Sequence, residues 1–161
     1  MTTSVSTIDA KEMLSELVNR VSHHKERVVL TRRGKEIAAL ISMEDLQLLI
    51  SYQQKIDLEA AREALKEARD QGTISFNDLK QTTTQTPYVV KIAPRAEREF
   101  RALPDKDQKN IIKLIEALGI NPRPPGANKI EGLTGLYCEE TNSYRLIYKV
   151  EEQELLLLFM R

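Results

Sequence analysis

Residues 81–100, QTTTQTPYVVKIAPRAEREF, decide how the chain divides. The first six of them, 81–86, carry no apolar side chain and no periodicity, the mark of a linker. The composition then changes abruptly. Residues 88–93 (YVVKIA) predict a strand, and Pro94 opens a short helix through Leu103, because proline is tolerated in a first helical turn. A polar seam followed by a new strand marks the start of a second domain. Fully extended, six residues reach only about 20 Å, so the tether is short.

Downstream of the seam, Asp105 begins a longer helix with Ile111, Ile112, Ile115 and Leu118 on its inner face, stopped by Gly119. The loop NPRPPGAN (121–128) follows, then Lys129 to Leu133. Three strand-like runs complete the sequence: 136–140, 144–150 and 154–160. They turn at Thr141-Asn142-Ser143 and at Glu151-Glu152-Gln153. A strand, two helices and an antiparallel meander predict an α+β domain of about 75 residues. Residues 155–160 are apolar at every position, as a strand buried on both faces requires.

Upstream, Asp9-Ala10-Lys11-Glu12 has capping-box spacing and predicts a helix start, with Ala10, Leu14, Leu17, Val18 and Val21 as its apolar stripe. Residues 27–31 (RVVLT) read as a strand, Arg32-Arg33-Gly34-Lys35 as a turn, and 36–42 (EIAALIS) as the return strand of a hairpin. Ser42 with Asp45 caps another helix carrying Leu46, Leu49 and Ile50. Residues 55–71 form a further amphipathic helix, with Leu58, Ala61, Leu65 and Ala68 on one face and Gly72 as its stop. Ile74, Phe76 and Leu79 follow with little local core to bury them. Such a segment docks either on a partner or on its own domain.

A hydrophobic content of 41% with 30% charged residues excludes a disordered chain. The longest apolar run, LLLLFM (155–160), falls far short of the roughly 20 residues a membrane helix needs. No secretory signal is expected from MTTSVST, and the single cysteine, Cys138, permits no internal disulfide, so the expected compartment is a reducing cytoplasm. His23 and His24 have no clustered cysteine or carboxylate partners, and no metal or cofactor is expected. Residues 1–86 carry 12 basic and 13 acidic side chains, and residues 87–161 carry 12 and 11. Binding to nucleic acid therefore has to come from a local patch.

The opening STIDAKEMLSELVNRV, the hairpin ERVVLTRRGKEIAALIS and the helix MEDLQLLI resemble the Phd/YefM antitoxins of bacterial toxin–antitoxin operons. Residues 55–80, ending GTISFNDLK, are similar to the tail with which such antitoxins wrap a toxin. Residues 87–161 resemble the RelE toxins, ribosome-dependent mRNA endonucleases of the RelE/ParE superfamily. The matching stretches are YVVKIAPRAEREFRALP, IIKLIEALG, NPRPPGANKIEGLTGLY and YRLIYKV. The organisation implied is a Phd/YefM-like α/β DNA-binding and dimerisation domain (1–54), a toxin-binding tail (55–80), a linker (81–86) and a RelE-like α+β domain (87–161).

The resemblance also implies sites. Family antitoxins dimerise and bind a palindromic operator, repressing their own operon. The DNA-binding candidates are Lys11, Arg32, Arg33 and Lys35, and the toxin-binding candidates are Leu58, Ala61, Leu65, Ala68, Ile74, Phe76 and Leu79. RelE-type cleavage drives a ribose 2′-hydroxyl onto the neighbouring phosphate, which needs a base, cations and help for the leaving oxygen. The family carries two basic residues on the strand of Tyr137; the matching positions here are Cys138 and Glu140. Arg145 is retained, while the family's further arginine and tyrosine lie beyond the last strand and the sequence stops at Arg161. Lys129 is a candidate RNA-backbone contact. The expectation is an operator-binding antitoxin fused to an inactive toxin fold. The alternative is an mRNA interferase held silent in cis by the tail, with ribosome and mRNA as partners. The toxin domain that the tail binds is the chain's own, in cis, or that of a second chain, in trans.

Overall fold

The computed structural model describes residues 1–141 and 143–161; Asn142 of the expected turn Thr141-Asn142-Ser143 lies outside the described residues. The chain separates into two compact units, Met1–Gln53 and Gln54–Arg161, and the boundary falls inside a helix.

The first unit begins with a strand, β1 (Thr2–Ser6), where the sequence suggested none; it pairs in parallel with β2 (Arg27–Arg32). Helix α1 (Thr7–Glu12) therefore starts earlier than the Asp9 capping box implied. Ser6 is the cap: its hydroxyl oxygen accepts from the Asp9 N–H at 3.1 Å and donates to the Asp9 carboxylate at 2.8 Å. Helix α2 (Leu14–His24) follows. Of the predicted stripe, Ala10, Leu17 and Val21 are buried against Val28, whereas Leu14 and Val18 are exposed. The hairpin closes with β3 (Lys35–Leu40), antiparallel to β2, giving the order β1-β2-β3. The register slips between Leu30 and Thr31, a bulge that leaves Ile37 unpaired.

Ser42 caps α3 (Met43–Gln71), accepting from the Asp45 N–H at 3.1 Å. The two helices expected at 43–50 and 55–71 are one. Nothing in the intervening Ser51-Tyr52-Gln53-Gln54 breaks a helix, and the helix continues to Gly72, which takes φ +83°.

In the second unit, the later part of α3 leads to β4 (Ile74–Ser75) and α4 (Phe76–Lys80), with Ser75 as N-cap. Then come β5 (Val89–Ile92), α5 (Pro94–Arg101), α6 (Asp105–Ile120), β6 (Asn128–Lys129), β7 (Leu136–Glu140), β8 (Arg145–Glu151) and β9 (Glu154–Met160). Helix α6 runs past Gly119 to Ile120. A right-handed helix accommodates this glycine, and Thr86 packs where a side chain would stand.

The strands form one sheet in the order β4-β5-β9-β8-β7-β6, with β5 and β9 parallel. Its two faces carry separate cores. On one, Phe76 and Leu79 of α4, Phe100 of α5 and Ile111, Ile115 and Leu118 of α6 meet Val90, Leu146, Tyr148, Leu155 and Leu157. On the other, Ala60, Ala61, Ala64, Leu65 and Ala68 of α3 lie over Leu136, Cys138, Ile147, Leu158 and Phe159. The alanines let the helix approach the sheet closely. β9 is buried from Leu155 to Met160 with Leu156 half-buried. A bulge opposite Ile147 and Tyr148 turns both Leu158 and Phe159 to the α3 side.

Candidate functional site

The hairpin tip of the first unit is built from Arg32-Arg33-Gly34-Lys35. Arg33 has φ +53° and Gly34 φ +75°, the two successive positive values of a tight turn whose twist matches its flanking strands. Arg33 is thereby held in a backbone region costing a non-glycine residue about 1 kcal/mol. Arg32, Arg33 and Lys35 are exposed, as is Lys11 in the last turn of α1.

The pairing of charges separates these four from the other basic residues of the unit. Arg20 makes a two-pronged contact with Glu26, at 2.8 Å from Nε and 2.5 Å from Nη2. Arg27 does the same to Asp45, at 2.8 and 2.9 Å, and Lys25 reaches Glu44 at 2.6 Å. Among the described residues of the unit, Lys11, Arg32, Arg33 and Lys35 are in no ion pair. Their charge is available to an outside anion.

In the second unit Arg145 stands at the start of β8, directly across from Glu140 on β7. Its Nη2 donates to Asp57 Oδ2 at 2.7 Å and its Nε to Glu140 Oε1 at 3.1 Å. Asp57 projects from α3 and its side chain is fully buried; Arg161 Nη1 lies 4.0 Å from the other oxygen. Cys138 is buried beneath α3, where desolvation pushes its thiol above the ordinary value despite the nearby Arg145. A protonated thiol supplies neither base nor cation. Lys129 is exposed on the outermost strand β6.

The proposed tail contacts all lie within this unit. Ala61, Leu65 and Ala68, with Leu58 partly buried, join the α3-side core; Phe76 and Leu79, with Ile74 beside them, join the opposite core. Residues 54–80 thus pack on the rest of their own unit. Leu58 packs over Gly132 so closely that a Cβ there would meet Leu58 Cδ2 at 2.6 Å. Polar links follow the same path: Glu67 accepts from Arg98 at 2.7 and 3.2 Å, and Lys80 donates to Glu116 at 2.8 Å. Sequence reasoning missed Asp57, although it sits at the head of the Ala61–Ala64–Ala68 stripe. An acid on the apolar face of a helix is the signal that pointed to a buried partner.

No group of three or more His, Cys, Asp or Glu side chains converges on a metal-sized site among the described residues. Among the described residues, no helix is long and apolar enough to cross a membrane.

Residues 2–74 match the family model of the Phd/YefM antitoxin of type II toxin–antitoxin systems. Three solved structures are similar over the C-terminal part. A chain of the toxin–antitoxin complex RelBE2 from Mycobacterium tuberculosis is 21% identical, covering 48% of this chain and 93% of that one, with a TM-score of 0.43. The isolated RelE toxin of E. coli is 28% identical over 45% of this chain and 81% of its own, and a chain of the intact E. coli RelBE complex is 28% identical over 45% and 93%, each with a TM-score of 0.39. No curated protein sequence matches the chain. The match over residues 2–74 agrees with the resemblance to Phd/YefM antitoxins drawn from the residues.

Proposed function

We propose that the chain is a fused type II toxin–antitoxin protein that works as a DNA-binding repressor in the bacterial cytoplasm. In this reading its antitoxin half binds operator DNA as a homodimer through residues 1–54, and its RelE-like half is catalytically silent. The observation that carries the reading is the set of four unpaired cations, Lys11, Arg32, Arg33 and Lys35, in a unit whose remaining basic residues are neutralised internally. Dimerisation is supported by apolar surface. Ile37, Leu48, Leu49 and Tyr52 are each more than half exposed in a unit of 53 residues, which marks an interface in need of a partner. A two-fold dimer doubles the cationic set and matches it to two half-sites.

Silence of the RelE-like half is supported by what surrounds Arg145. One carboxylate sits across the strand pair and another is buried against the guanidinium, where the reaction needs cations free to meet a phosphate. With the protonated thiol of Cys138 at the other matching position, the groups around Arg145 add negative charge and no second cation where a phosphate would have to approach. Ribosome and mRNA are then not partners.

The test is a titration of the full chain against its own upstream DNA at two salt concentrations. About six phosphate contacts predict a loss of affinity on the order of 10³-fold between 50 and 200 mM salt. Absence of any sequence-preferring binding at the lower salt would overturn the reading.

A further inference from the structure

The tail grips the C-terminal sheet from both sides. α3 covers one face, β4 extends the edge by pairing with β5, and α4 enters the core of the other face. Peeling it off would break all three contacts together. It would also uncover Leu136, Cys138, Ile147, Leu158 and Phe159, which are buried under α3. A ligand that docks on a finished domain leaves a surface able to face water; this one would leave half a core.

Two buried charges lock the arrangement at opposite ends of the tail. Near its start, Asp57 holds Arg145. At its end the Lys80 side chain, only 2% exposed, places its ammonium 2.8 Å from Glu116 and 4.5 Å from the centre of the Phe76 ring. Each buried charge loses its counter-charge if the tail moves. The linker is tied as well. Asn77 Oδ1 accepts from the Thr84 N–H at 3.1 Å, the Thr86 hydroxyl donates to the Tyr88 carbonyl at 2.6 Å, and Tyr88 N–H bonds Gly119 at 3.1 Å.

From this geometry we propose that residues 54–80 are a permanent, non-exchanging constituent of the C-terminal unit, with Arg145 and Lys80 serving as its clamps. The tail is then not a labile inhibitor. Cutting the exposed linker severs the backbone without freeing the RelE-like part, and the tail is not lent to a toxin made elsewhere. Arg145 has a structural reason to be retained whether or not RNA is ever cleaved. The proposal is independent of DNA binding, and its test reads a different part of the chain.

Hydrogen exchange on the intact full-length protein decides it. Peptides from 58–68 and 74–80 should exchange through the same opening as β8 and β9, within about threefold in rate. Tail peptides exchanging on the order of 100-fold faster than the sheet would overturn permanence. Lys80→Met should speed exchange in 74–80 by about tenfold and leave peptides from 1–53 unchanged; no change in 74–80 would refute the clamp at Lys80. A protease site inserted at Thr83 and cut in the folded full chain gives an independent reading. The two pieces should co-elute on a sizing column, and separate peaks would contradict the proposal.

Discussion

Replacing Asp57 by asparagine keeps the shape of a fully buried side chain and removes its charge. Arg145 Nη2 would then face an amide at 2.7 Å in place of a carboxylate, and Arg161 would lose its partner at 4.0 Å. Removing one member of a buried ion pair typically costs about 3–5 kcal/mol. Arg145 is 27% exposed and keeps Glu140, so water and the second acid recover part of that, leaving about 2–3 kcal/mol. Urea unfolding is the assay. Tyrosine fluorescence reports mainly on the second unit, since Tyr88, Tyr137, Tyr144 and Tyr148 lie there and only Tyr52 in the first. With a slope of roughly 2 kcal/mol per molar urea, the midpoint should fall by about 1–1.5 M with the slope unchanged. Adding Arg145→Met to Asp57→Asn removes the stranded cation and should restore a good part of the loss. A midpoint within about 0.2 M of the parent would refute the reasoning and make the Asp57–Arg145 pair a bystander.

Three further outcomes follow from other parts of the molecule. Gly132→Ala places a methyl group 2.6 Å from Leu58 Cδ2 at φ +103°, so thermal melts should show destabilisation of about 2–3 kcal/mol, of which Leu58→Ala recovers the steric share but not the backbone share. Glu26 is held at about 2 by hydrogen bonds first from Arg20 and then from Thr3. Its folded value is depressed, so the stability it contributes is present above about pH 4.5 and is lost as pH falls toward 2; Glu26→Gln should flatten the pH dependence of melting of the first unit across that window. Ribosomes programmed with mRNA and incubated with the full chain should yield no cleavage above background, and Arg145→Ala should change nothing; specific cleavage that depends on Arg145 would sink the reading of a silent toxin fold.

Much of the architecture was written in local signals. The hairpin followed from Arg32-Arg33-Gly34-Lys35 between two strand-like runs, the Ser42 cap from its spacing to Asp45, and the twice-buried β9 from its unbroken apolar run. What was not legible depended on distant partners. β1 is a short polar strand whose identity comes from pairing with β2, some twenty residues away, and without that partner TTSVS reads as coil. The merging of two helices into α3 was hidden by treating a polar stretch as a break, although SYQQ has no residue that stops a helix. The alternation in β9 is shifted by a bulge that only the register with β8 reveals. At the sites, Arg145 could be singled out from sequence, but its capture by Asp57, 88 positions earlier, required the fold.

The central claim is that the unpaired cations of the first unit meet DNA phosphates, and the salt slope of operator binding tests it most directly. In the proposed dimer, Arg32→Ala/Arg33→Ala removes up to four phosphate contacts, so the plot of log affinity against log salt should flatten by about 3–4. Arg27→Ala, which removes a cation already satisfied by Asp45, should leave the slope where it was. A slope unchanged by loss of Arg32 and Arg33, or reduced equally by loss of Arg27, would contradict the account.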